Sequence, residues 1–149
     1  MFDLRDIWPL ANNIIRMTRQ MVNDGLRPLG LTSAEGNVLF HLLTRGGSAS
    51  QEDVVAELEI SKPAVSRALD GLEQAGYVER TRDPLDRRVN RITLTARAES
   101  ASPAIERVYH EVFTRAAAAV SPVEAELFID VFRRVSNLLT AGEAERRVK

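Results

Sequence analysis

The chain has 149 residues, a length for one domain with an added oligomerisation element, and its 44% apolar and 28% charged content marks an ordinary globular protein rather than a disordered one. Cysteine is absent, which excludes disulfides, thiolate metal sites and redox sensing by a thiol. With 20 Lys and Arg against 21 Asp and Glu the formal charge is −1, so binding of a polyanion requires basic residues gathered in one place.

The N-terminal residues include Asp3, Arg5 and Asp6 in place of the basic and then apolar stretch of a leader, and no apolar run approaches the roughly 18 residues that span a bilayer. A cytoplasmic protein without membrane contact is expected. Leu10, Ile14, Met17, Met21 and Leu26 fall on one stripe, widened by Ala11, Ile15 and Val22, which predicts a long helix whose end is punctuated by Gly25, Pro28 and Gly30. Its start is expected near Pro9, because a first turn tolerates proline. The apolar face is broader than a helix with a single neighbour requires.

Thr32 and Glu35 have the spacing of a capping box, and they open a helix carrying Val38, Leu39, Leu42 and Leu43 that Gly46 and Gly47 stop. Ser50 is a second N-cap. Glu52 and Asp53 make the following turn acidic, and Val54, Val55 and Leu58 supply the buried side of a helix of about two turns. Ser61 caps a third helix, with Pro63 in its first turn and Gly76 placed for a left-handed closing residue. Val65, Ala68, Leu69 and Leu72 form its apolar stripe, so Ser66, Arg67, Asp70 and Gln74 face the other way. Asp70 is expected to pair with Arg67 three residues before it.

Strand formers then replace the helical pattern. Tyr77 to Thr81 and Val89 to Thr95 read as two strands, and Asp83 to Asp86 carries turn chemistry between them. Arg80, Arg82, Arg87, Arg88 and Arg91 cluster on this hairpin. From Ser61 to Arg97 there are eight basic residues and five acidic ones, a balance of plus three, which leaves about minus four for the rest. A basic patch on an otherwise acidic molecule fits a polyanion, nucleic acid first, because Lys and Arg displace the counterions condensed on phosphates. Two short helices, a tight turn and a basic hairpin amount to a winged helix-turn-helix.

Beyond Thr95 the pattern is helical again. Ile105, Val108, Val112 and Tyr109 or Phe113 form a stripe that Ala116, Ala117 and Val120 continue, while Pro103 predicts a kink or a late start. Ser121, Pro122 and Glu124 mark the start of a last helix, whose Leu127, Phe128, Val131, Phe132, Val135, Leu138 and Leu139 make a broad seam. Burying the surplus apolar surface of the terminal helices calls for a second copy of the chain. The expected class is mainly α with a small β-wing. A winged helix-turn-helix at residues 31–97 lies between an N-terminal dimerisation helix at residues 1–30 and C-terminal dimerisation helices at residues 98–149.

Candidate DNA contacts follow from this layout. Ser66 and Arg67 can reach base edges, Arg67 best at guanine O6 and N7, and Ser61, Lys62 and Pro63 lie at a helix N-terminus suited to phosphate. Ser50 and Gln51 open the preceding helix, and Arg80, Arg82, Arg87 and Arg88 belong to the hairpin. His41 and His110 have no metal-ligand spacing around them, and no phosphate loop or nucleophile motif occurs, so no metal, cofactor or enzymatic activity is expected.

The chain resembles the MarR family of bacterial transcriptional regulators. The resemblance runs through Gly30-Leu31-Thr32, Ile60 to Arg67 and Leu72 to Arg80, and above all through Asp83-Pro84-Leu85-Asp86-Arg87-Arg88 followed by Leu94-Thr95. It departs at Ala98, where many members have glycine, and at Pro103. The resemblance implies a homodimer on a pseudo-palindromic operator of double-stranded DNA, with the recognition helix in the major groove and the wing arginine in the minor groove. It also implies that Asp86 braces Arg88, and that repression ends when an anionic or phenolic effector binds. Trp8, Arg16, His41, Tyr109, His110 and Phe113 are the polar or aromatic candidates for an effector pocket, although each also suits ordinary packing or surface. The rival reading is a winged-helix protein-interaction and dimerisation module without specific DNA binding, for which an arginine-rich wing has no use.

Overall fold

The structure, a computed structural model, describes residues 4–147. The chain divides into two compact units, one ending at Val112 and the other beginning at Phe113. In order, its elements are α1 (Leu4–Leu26), a 3-10 turn (Arg27–Leu29), α2 (Ser33–Thr44), β1 (Ser48–Ser50), α3 (Gln51–Leu58), α4 (Lys62–Gln74), β2 (Val78–Arg82), β3 (Asn90–Leu94), α5 (Ala96–Ala117) and α6 (Pro122–Arg147). The mainly helical class with a small β-wing is observed.

Polar caps set the helix boundaries. Thr32 Oγ1 accepts the Glu35 N–H while the Glu35 carboxylate accepts the Thr32 N–H at 2.8 Å. Ser50 and Asp53 repeat the exchange at α3, and Ser121 and Glu124 repeat it at α6. Ser61 Oγ accepts from Ala64 N–H at the start of α4. At the other end Gly76 has φ +77°, Gly76 N–H donates to Glu73 O and Tyr77 N–H to Leu72 O, the paired bonds of a Schellman closure.

Two prolines correct the expected boundaries. Helix α1 is already helical at Leu4, well before Pro9, because the missing Pro9 N–H removes one bond near the helix start and its fixed φ suits a helix. Helix α5 starts at Ala96, so Pro103 does not delay it. The Glu99 carbonyl that Pro103 cannot serve accepts the Ser102 hydroxyl at 2.8 Å.

The sheet has three strands, not two. The hairpin strands β2 and β3 pair antiparallel, with Arg82 opposite Asn90 and Val78 opposite Leu94, and β1 adds to the far side of β3. The first unit closes around Val22, Leu26, Val38, Leu39, Leu42, Val54, Val65, Leu69, Leu72, Ile92, Ile105 and Val108, all buried. Each fully buried leucine contributes about 2 kcal/mol of transfer free energy. At Gly25 a side chain would meet Val108 Cγ1 at 2.7 Å, so glycine permits the close approach of α1 to α5. The N-terminal part of α1 is different: Trp8, Leu10, Ile14 and Ile15 are exposed. In the second unit Phe128 and Phe132 pack ring on ring at 4.2 Å, yet both are exposed with Leu127, Val135, Leu138 and Leu139.

Candidate nucleic-acid interface

The apolar stripe of α4 fixes what it shows to solvent. With Val65, Ala68, Leu69 and Leu72 buried, Lys62, Arg67 and Asp70 are exposed and Ser66 is half-buried. Asp70 does not pair with Arg67 as expected. Its carboxylate instead accepts Arg80 from β2 at 2.6 Å, and Glu73 accepts the same guanidinium at 2.6 and 3.0 Å. Alternation along the strand explains the choice: Val78 and Arg80 share the inward face of β2, so Arg80 reaches back to α4. Its side chain is only 25% exposed. The guanidinium holds the Glu73 carboxyl below its usual range, and Arg80 therefore joins helix to wing rather than projecting toward a ligand.

The wing tip is held by a second carboxylate. Asp83 Oδ2 accepts Arg91 at 2.7 and 3.1 Å, and Asp83 Oδ1 accepts the backbone N–H of Leu85 and Asp86. The Arg91 hydrogen bond, then that of Leu85, keeps the Asp83 carboxyl below its usual range. Asp83 N–H donates to Val89 O, Val89 N–H to Asp86 O, and Arg82 to the Arg87 carbonyl at 3.1 Å. Asp86 Oδ1 accepts the backbone N–H of Arg88 at 3.0 Å, so its hold on Arg88 runs through the main chain and leaves the guanidinium unengaged. Among the described residues the side chains of Arg67, Arg87 and Arg88 have no hydrogen-bond or ion-pair partner and are exposed.

The remaining candidates divide clearly. Ser50 and Ser61 cap α3 and α4, and Gln51 and Pro63 stand in the first turns behind them. Of the effector candidates, Tyr109 is buried, stacked on Phe40 at 4.2 Å, and donates to Asn37 Oδ1 at 2.7 Å; burial pushes its phenol up. His41 lies 3.6 Å from Glu57, which also pairs with Arg45. Arg16 donates to Asn13, Trp8 is 74% exposed, and His110 and Phe113 are exposed. Sequence reasoning missed Glu73, Asp83 and Arg91 as wing supports. The inward phase of Arg80 was the available signal. Among the described residues no group of acidic and histidine side chains could hold a metal ion, and no helix is long and apolar enough to cross a membrane.

A capped recognition helix beside a braced, arginine-tipped hairpin defines a winged-helix nucleic-acid-binding architecture. A family model for the MarR family matches residues 29–89. A MarR transcriptional regulator from Methanosarcina mazei Go1 is 24% identical over 92% of this chain and 99% of its own, with a TM-score of 0.79. The transcriptional regulator SlyA is 22% identical over 91% and 95%, with a TM-score of 0.82. A mutant MarR from E. coli complexed with operator DNA is 22% identical over 90% and 99%, with a TM-score of 0.71. Residues 29–89 thus match the MarR family, and most of the chain has the winged-helix fold of these solved structures.

Proposed function

We propose that the protein is a homodimeric, sequence-specific DNA-binding repressor that a small anionic or phenolic ligand releases from a pseudo-palindromic operator. The observation that carries this reading is the division of labour among the wing arginines. Arg80 and Arg91 are engaged by carboxylates that fix the hairpin, while the side chains of Arg87 and Arg88 have no partner among the described residues. In the complex Arg67 and Ser66 read base edges in the major groove and Arg88 enters the minor groove. Lys62, Ser61, Pro63, Ser50, Gln51, Arg82 and Arg87 face the phosphate backbone.

The exposed apolar residues of α1, and separately those of α6, support a second copy as the partner. Two recognition helices must then stand about one turn of DNA apart, roughly 34 Å, so a ligand that favours another spacing lowers operator affinity. Trp8, Arg16, His41, His110 and Phe113 remain candidates for that ligand. Tyr109 can serve through its ring edge, since its hydroxyl is held by Asn37.

Sedimentation equilibrium of the protein with a duplex from beside its own gene tests the assembly. Two protomers per site are expected, and one protomer or no complex contradicts it. A thermal-shift screen of aromatic acids tests release: a ligand that raises Tm and weakens operator binding supports it, and a panel that moves neither contradicts it.

A further inference from the structure

Leu85 has 98% of its surface in solvent, more than any other large apolar side chain described. A lone exposed leucine is ordinary and by itself implies nothing. This one, however, lies outside the helical stripes of α1 and α6, so the surface that a second copy would cover does not account for it. Its backbone is also fixed in place. Its N–H donates to Asp83 Oδ1 at 2.9 Å, Asp83 is anchored by Arg91, and Pro84 restricts the backbone before it. Arg87 and Arg88, both exposed and with side chains unpartnered among the described residues, follow Asp86 on the same loop.

We propose that Leu85 is an apolar contact to the deoxyribose walls of the minor groove, and that it supplies a salt-independent part of operator affinity. The proposal rests on the DNA-binding reading above. Arg87 brings the wing tip to phosphate and Arg88 enters the groove, and the groove walls beside them are sugar C–H surface, which an aliphatic side chain can cover while expelling water. Because leucine offers no donor or acceptor, the contact senses groove width and deformability rather than base identity. The bonded loop presents the backbone already ordered, so the entropy lost on docking is confined to the leucine rotamer.

The test uses the full chain and a duplex recovered by repeated selection from a randomised pool. Leu85→Ala is expected to weaken binding roughly three- to tenfold without changing the slope of log affinity against log salt. Leu85→Met is expected to restore the affinity. Arg87→Ala, in contrast, is expected to flatten the slope by about one phosphate contact per protomer. Hydroxyl-radical footprinting, which reads sugar accessibility, should show protection beside the recognition-helix contacts that Leu85→Ala loses. If Leu85→Ala matches wild type in affinity and footprint while Arg87→Ala is weakened, the contact is refuted and the DNA-binding reading stands. If the wild-type chain recovers no duplex, both fail together.

Discussion

Leu69 on α4 and Phe132 on α6 are both large apolar residues at helical spacing, yet Leu69 is fully buried and Phe132 keeps 51% of its surface in solvent. The difference extends to their surroundings. Leu69 belongs to a core closed by five helices and a sheet of the first unit, whereas Phe132 shares its exposed helix with Phe128, Val135 and Leu139. A closed core accounts for a fold, and an open seam of this breadth is what the proposed second copy would cover. The same amphipathic pattern therefore has two physical outcomes, and only the contacts around it separate them.

Altering one residue in the core and one in the seam separates their roles most clearly. Leu69→Ala should cost about 2–5 kcal/mol of stability through lost transfer energy and a cavity, measured by urea denaturation. Phe132→Glu should leave the fold of each chain intact by circular dichroism, yet yield monomers in light scattering. Its affinity for a two-site operator should fall on the order of a hundredfold, because the second half-site is no longer reached within one complex. A Phe132→Glu chain that remained dimeric would place the seam elsewhere.

A smaller effect distinguishes the wing supports from the wing tip. Glu73 and Asp83 have carboxyls lowered by their arginine partners, so each stabilises the fold above the ordinary carboxyl range and loses that contribution as pH falls through the lowered value. Stability should thus decline below about pH 4 more steeply in wild type than in Glu73→Gln, which has no charge to lose. Parallel acid curves for the two proteins would contradict the role given to Glu73. The smallest change is expected at Glu59, a non-glycine residue with φ +52° at the end of α3. Glu59→Gly should raise stability by about 0.5–1 kcal/mol, since glycine adopts that backbone without strain, and a loss of stability would refute the account.

Much of this arrangement was legible in the sequence because it depends on near neighbours. The caps at Thr32, Ser50, Ser61 and Ser121, the stripe of α4 and the closing Gly76 each involve residues within one or two helical turns. What escaped depends on pairing across the chain. Strand β1 is Ser-Ala-Ser, without strand formers, and exists because β3 offers it an edge. Asp70 had two basic residues within reach, and the β2 register brought Arg80 to it rather than Arg67. Asp83 looked like turn chemistry, and it is that, but its other oxygen holds Arg91 across the hairpin. Pro9 and Pro103 misled for a different reason: a helix loses one bond at proline, and at Pro103 the neighbouring Ser102 hydroxyl supplies a replacement.

Fluorescence anisotropy of the purified protein with its selected duplex and with an unrelated one, at two salt concentrations, decides whether the wing serves DNA. Tight binding to the selected duplex alone is expected, weakening on the order of a thousandfold between about 50 and 200 mM salt as several phosphate contacts release counterions. Equal, weak and salt-insensitive binding to both duplexes would contradict it and leave the braced wing without a nucleic-acid role.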